Sequence, residues 1–93
     1  METTLNNKQM KELFKAITAL ETADECKKFM RDLCTLTELK AMAERWQVAQ
    51  QLNKNIPYRL IAKKTGSSTA TVTRVAHWLH HGTGGYKLLM HRL

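Results

Sequence analysis

Thr69, Thr71, Thr73, Arg74 and His77 set three hydroxyls, a guanidinium and an imidazole within nine residues of the chain. On a helix turning once per roughly 3.6 residues, such groups can share an exposed face. They are side chains that hydrogen-bond base edges and phosphate oxygens. Nowhere in the sequence does a nucleophile stand with the base and acid that would activate it, and the acids of the first half fall at helix starts and exposed positions. The chemistry on offer is non-covalent recognition, so the chain is not expected to be an enzyme.

The elements that hold these groups are legible around them. Ile61 and Ala62 belong to a first helix, with Ala62 small where a second helix must cross close above it. Gly66 follows where the chain has to turn sharply, a position that favours glycine because it enters the left-handed region at little cost. Val72 and Val75 then fall on one face of a second helix and can close over Ile61 and Ala62. Ser67 or Ser68 supplies the N-cap oxygen of that helix. Small, turn, apolar, apolar at this spacing reads as a helix-turn-helix over residues 57–80, with Pro57 in the first turn of its first helix.

Charge coincides with this motif. From Arg45 onward the sequence holds eight basic residues (Arg45, Lys54, Arg59, Lys63, Lys64, Arg74, Lys87, Arg92) and no acid, whereas residues 1–44 hold seven bases and eight acids. The net charge of +7 therefore lies entirely in the half that carries the motif. Duplex DNA carries roughly one negative charge per 1.7 Å of axis, and clustered cations gain by releasing its counterions. Double-stranded DNA is the expected partner.

Ninety-three residues make one domain, and a chain of this size buries only about 60–65% of its unfolded surface. A second subunit is an obvious way to bury more. The 43% hydrophobic and 6% aromatic content with a single proline suits a helical globule. Met10, Leu13, Phe14, Ile17 and Leu20 predict a helix over residues 5–20. Thr22 with Glu25 forms a capping-box signature ahead of a second helix striped by Cys26, Phe29, Met30, Leu33 and Cys34. Thr35 with Glu38 repeats it ahead of a third, whose inner face is Leu39, Met42, Ala43, Trp46, Ala49 and Leu52 and which ends near residues 53–55. Residues 1–54 thus read as dimerisation helices, and Gly82, Thr83, Gly84 and Gly85 break the chain before a last helix over residues 85–93. Cys26 and Cys34, about 12 Å apart on one helix, cannot bridge and read as buried thiols. No stretch nears the roughly 20 apolar residues of a membrane span, and METTLNNKQM lacks a signal peptide's apolar segment, so a soluble cytoplasmic protein is expected.

The strings GSSTATVTR at residues 66–74, LCTLTELKAMAERW at 33–46 and GTGGYKLLMHRL at 82–93 resemble the Trp repressor superfamily, and most closely its YerC/YecD-type Trp-repressor-like members. The resemblance covers residues 13–93. It implies an all-α, six-helix fold in which two chains intertwine as a homodimer and present two reading heads to a palindromic operator about one DNA turn, ~34 Å, apart. By the same resemblance Arg59 stands where the family's arginine contacts DNA, and Ala70, Thr71 and Thr73 match positions that approach bases or phosphates. Ala62 replaces a family lysine, with Lys63 and Lys64 adjoining it. Ser68 and Thr69 replace a glycine and an isoleucine, so a different operator is implied.

The groove contacts expected are Thr69, Ala70, Thr73 and Arg74, with Ser67, Ser68 and Thr71 near phosphate and with Tyr58, Arg59, Lys63 and Lys64 positioning the backbone. The resemblance also implies an effector pocket in which Arg45 and Arg74 match the arginines that sandwich tryptophan. Val75 replaces a glycine there, and overpacking of that kind costs about 1–3 kcal/mol. Tryptophan is therefore not expected as corepressor, and no cofactor is expected. His77, His80 and His81 have a spacing that can present imidazoles to a metal, yet they read as facing the negative end of their helix or phosphate, so no metal is expected. Trp46 and Trp78 read as core or dimer-interface residues. The function that follows is a sequence-specific transcriptional regulator acting as a repressor. The alternative is a helical protein-interaction module.

Overall fold

The computed structural model describes residues 2–93. Among them the chain forms a 3-10 turn (Glu2–Asn6) and six α-helices with no strand. The chain separates into two compact units, one running up to Leu36 and the other spanning Thr37–Leu93. Most of the third helix thus belongs with the helices that follow it.

In the first unit, Asn7 interrupts the helix expected over residues 5–20. Its backbone is extended and its Oδ1 accepts the Met10 N–H at 2.9 Å, so α1 begins at the next residue and covers Lys8–Thr18. An asparagine that can satisfy a free helical N–H favours such a restart. Thr22 caps α2 (Ala23–Leu33) by accepting the Glu25 N–H at 3.1 Å, and the Glu25 carboxylate reaches back to the Glu21 N–H at 2.9 Å. The capping box is therefore present, with its return bond one residue earlier than the usual pattern.

Cys34 lies beyond α2 with an extended backbone, and its carbonyl accepts a hydrogen bond from Arg31 at 3.1 Å. Cys26 is exposed and Cys34 half-buried, which corrects the expectation of two buried thiols on one helix. The reason is general to this unit. Neither α1 nor α2 buries any residue, and their apolar stripes stand open, with Phe14 44% and Leu33 50% exposed.

The second unit holds the core. α3 (Leu36–Asn53) contributes Val48, Ala49 and Leu52, α4 (Tyr58–Thr65) contributes Ile61, and α5 (Thr69–His81) contributes Val72, Val75, Ala76 and Leu79. Trp46 and Ala62 pack against this cluster, as do Tyr86 and Met90 of α6 (Gly85–Arg92). Ile61, Val48 and Val72 are fully buried. Val48 lies outside the inner face read from periodicity, and Ala43 on that face is exposed. The C-terminal half of α3 is covered over a wider arc than one stripe.

Turn chemistry sets the directions of these helices. α3 ends with Asn55 in the left-handed region at φ 59°, where the Asn55 and Ile56 amides return to the Leu52 and Gln51 carbonyls at 3.0 and 3.3 Å. These are the paired bonds of a Schellman motif. Pro57 is the N-cap of α4, one residue before the first turn expected for it. Gly66 ends α4 at φ 75° and donates to the Ala62 carbonyl at 3.0 Å. No atom lies within 4 Å of where its Cβ would stand, so glycine is required there by conformation. Gly82 is the opposite case, since a Cβ there would run into the Trp78 carbonyl. Beyond it, the Tyr86 ring stacks on Trp46 with centroids 6.2 Å apart and draws α6 against α3.

Truncating the central side chain should expose how much rests on it. Ile61→Ala is expected to lower stability by about 2–4 kcal/mol through lost burial and a residual cavity. Gly66→Ala, strained at positive φ, should cost about 1–2 kcal/mol. Urea unfolding at one protein concentration reads both, and a loss in Ile61→Ala well below that in Gly66→Ala would contradict the assigned core.

Candidate nucleic-acid interface

The apolar residues of α5 settle which of its faces is free. Val72, Val75, Ala76 and Leu79 point into the core, leaving Thr69, Ala70, Thr73, Arg74 and His77 exposed. Ser68 opens the helix with an extended backbone, its Oγ accepting the Thr71 N–H at 3.1 Å. The choice between two serines is thereby resolved in favour of Ser68. The first turn of α5 carries no acid of its own, and its amide groups and positive dipole end face outward beside Thr69 and Ala70. An anion is the natural complement.

α4 supplies the cations beside it. With Ile61 turned inward, Tyr58, Arg59, Lys63 and Lys64 are exposed. The α4–α5 pair thus presents basic and hydroxyl-bearing side chains from two helices joined by one short turn. No carboxylate follows Glu44 in the sequence to neutralise them. Such a concentration of positive charge attracts polyanions from a distance.

Two residues expected near phosphate have side chains that are covered on this chain. Ser67 is buried, with 8% of its surface exposed, and its hydroxyl donates to the Glu44 carboxylate at 2.7 Å. Its neighbour Ser68 already serves as the cap, so Ser67 is free to turn inward. Thr71 is half-buried on the flank of α5, its Oγ1 3.1 Å from the Ser68 hydroxyl. Neither side chain belongs to the exposed face of α5.

Arg45, Arg74 and Val75 do come together. They line a cavity of about 490 Å³ whose walls also include Glu44, Thr71, Trp78 and Tyr86. Pockets for small molecules fall in the range of about 300–1,000 Å³. Val75 is buried and forms one wall, but it leaves the cavity open. Glu44 and Tyr86 had not been singled out as site residues. The position of Glu44 as the last acid before an acid-free stretch was a usable signal, whereas nothing near Tyr86 marked it.

Trp46 packs on the core as expected, but Trp78 is 53% exposed on this chain and meets the His77 ring edge-on, with centroids 5.4 Å apart. Its place on α5 turns it outward beside the buried Val75 and Leu79. His77 and His81 stand with ring centroids 5.4 Å apart. Among the described residues no group of three or more His, Cys, Asp or Glu side chains could hold a metal ion. No described helix is long and apolar enough to cross a membrane.

Removal of the α5 cap is expected to be local and measurable. Ser68→Ala should cost about 1 kcal/mol of stability, while Ser68→Asp, which keeps an acceptor and adds charge at the dipole end, should not. Thermal unfolding of the two variants checks this, and equal losses would contradict the capping role.

Comparison with known proteins points the same way as the geometry. The family model for the Trp repressor protein matches residues 8–93. The uncharacterized protein YerC of Bacillus subtilis (strain 168) is 37% identical over 89 residues, spanning 96% of this chain and 86% of that protein. Among solved structures, a TrpR-like protein from Eubacterium eligens ATCC 27750 superposes with a TM-score of 0.93 at 38% identity, covering 97% of this chain and 93% of the other. A proposed Trp repressor from Staphylococcus aureus gives 0.92 at 36% identity, covering 99% and 92%. With six helices, no strand among its described residues and a match running from the start of α1 to the last residue, the chain belongs to the Trp repressor protein family.

Proposed function

We propose that this protein is a sequence-specific DNA-binding transcriptional regulator that represses by occupying a palindromic operator as a homodimer in the cytoplasm. The observation that carries the reading is the composition of the α4–α5 surface. Arg59, Lys63 and Lys64 on α4 and Thr69, Ala70, Thr73 and Arg74 on α5 are all exposed, at and after the capped start of α5, in a stretch without acids. In this reading α4 and α5 form a helix-turn-helix. Arg59, Lys63, Lys64 and Tyr58 hold the phosphate backbone, Ser68 lies near phosphate, and Thr69, Ala70, Thr73 and Arg74 enter the groove.

The homodimer is supported by the first unit. Its helices are strongly amphipathic yet bury nothing, and Leu5, Phe14, Ile17 and Leu33 remain substantially exposed. Apolar area of this extent in so short a chain favours association with a second copy. Two copies would bring two α5 helices to two half-sites.

Tryptophan is not the effector in this proposal. Glu44 adds a carboxylate to the lining of the cavity, opposing the carboxylate of an amino acid placed between Arg45 and Arg74. No other effector is assigned.

Selection of bound fragments from genomic DNA, followed by gel shift, tests the function directly. Lys63→Ala, which removes one phosphate contact from each subunit of the homodimer, should weaken binding to every sequence and reduce the salt slope by about 1.8. Thr73→Ala should instead narrow the gap between selected and random duplexes. Equal losses on both DNAs for both variants would overturn the assignment, and no retained DNA at low salt would favour a protein-interaction module. Calorimetry should give no saturable heat with tryptophan and no tightening of DNA binding by it.

A further inference from the structure

Ser67 and Glu44 are separated by 23 positions in the chain yet joined by a hydrogen bond of 2.7 Å from the Ser67 hydroxyl to Glu44 Oε1. Such a short contact to a carboxylate is charge-assisted, and these bonds are about twice as strong as neutral ones. A second brace meets it. The Ser67 N–H donates to Thr65 Oγ1 at 3.3 Å, and the Thr65 hydroxyl lies 2.9 Å from Ser67 Oγ and 2.8 Å from the Ile61 carbonyl, to which it donates. The turn between α4 and α5 is thereby fastened to α3 on one side and to the last turn of α4 on the other. The residue that follows Ser67 is the N-cap of α5.

Affinity for DNA does not account for Glu44. A carboxylate beside a phosphate-binding surface opposes binding, and Glu44 is the last acid of the sequence, immediately before the stretch that holds all of the excess positive charge. Its hydrogen bond does account for it. Resting on the DNA-reading function proposed above, we propose that Glu44 is a positioning residue for the reading helix. Through buried Ser67 it sets where α5 begins against α3, and it lowers general DNA affinity while raising discrimination between sequences.

The separate roles of charge and tether give distinct outcomes in four variants, Glu44→Gln, Glu44→Ala, Ser67→Ala and the double Glu44→Ala/Ser67→Ala. Without DNA, amide hydrogen exchange reads the turn through the bonded N–H groups of Gly66, Ser67, Thr71 and Val72. Loss of either partner should speed their exchange about tenfold or more, the size expected for a charge-assisted bond. The double variant should resemble either single one, because both remove the same bond. Glu44→Gln keeps an acceptor oxygen and should fall nearer the wild type. Unchanged exchange in the turn, or effects that add in the double variant, would overturn the tether.

With DNA, the readout is the ratio of affinities for a selected genomic fragment and a random-sequence duplex of the same length. Glu44→Gln should bind both duplexes more tightly and keep the ratio. Glu44→Ala should bind the random duplex as tightly as Glu44→Gln, with the ratio falling about tenfold. Ser67→Ala should lower the ratio without tightening binding to random DNA. Equal ratios for Glu44→Ala and Glu44→Gln would overturn the positioning role. If wild-type protein retains no DNA at low salt, the DNA-reading function fails and discrimination fails with it, and the exchange measurement then decides the tether alone.

Discussion

Closure of Val72 and Val75 over Ile61, with Val48 and Ala49 beneath, is the contact on which the rest of this molecule depends. These side chains form one apolar seal from three helices, and each is fully or almost fully buried. Once they point inward, the helical period leaves little choice about what points outward. Thr69, Ala70, Thr73 and Arg74 face solvent because Val72, Val75 and Ala76 do not. Gly66 makes the closure possible by turning the chain at a positive φ, and Ser68 starts the second helix within two residues of that turn. The exposed α4–α5 surface is thus a by-product of packing, its chemistry written in the residues that packing excludes.

The polar contacts at the turn show a division of labour between neighbouring serines. Ser68 satisfies the local demand of the helix end, while Ser67 makes the long-range bond to α3. Both are small hydroxyl residues in the same string. Only the direction of each side chain separates a cap from a tether, and that direction is set by the burial of one and the exposure of the other. The cavity containing Arg45, Arg74 and Val75 adjoins the tether, since Glu44 is common to both. A molecule bound there would touch the residue that holds the turn.

Much of this could be read from the sequence, and the remainder has identifiable causes. The pattern Ile61, Ala62, Gly66, Val72, Val75 announced two packed helices because burial and the glycine turn are both local, strongly patterned requirements. Thr22 and Glu25 announced the start of α2 for the same reason. Asn7 was missed as a cap because an apolar stripe runs straight through it, and capping competes with periodicity over only a residue or two. Val48 was missed because a helix flanked by several neighbours buries more than one stripe. Ser67 and Ser68 are not told apart by sequence because two adjacent serines are equivalent to a capping rule, and the partner that distinguishes them lies far away along the chain. Cys26 was expected inside because its helix is amphipathic, but an amphipathic helix buries its stripe only where something covers it.

In the proposed homodimer, two copies of the α4–α5 surface read one DNA site from one face. Hydroxyl-radical footprinting on a fragment selected from genomic DNA tests it most directly. Two protected patches on each strand, related by two-fold symmetry and centred about one helical turn apart, are the predicted result. A single patch, or uniform weak protection along the fragment, would contradict the account.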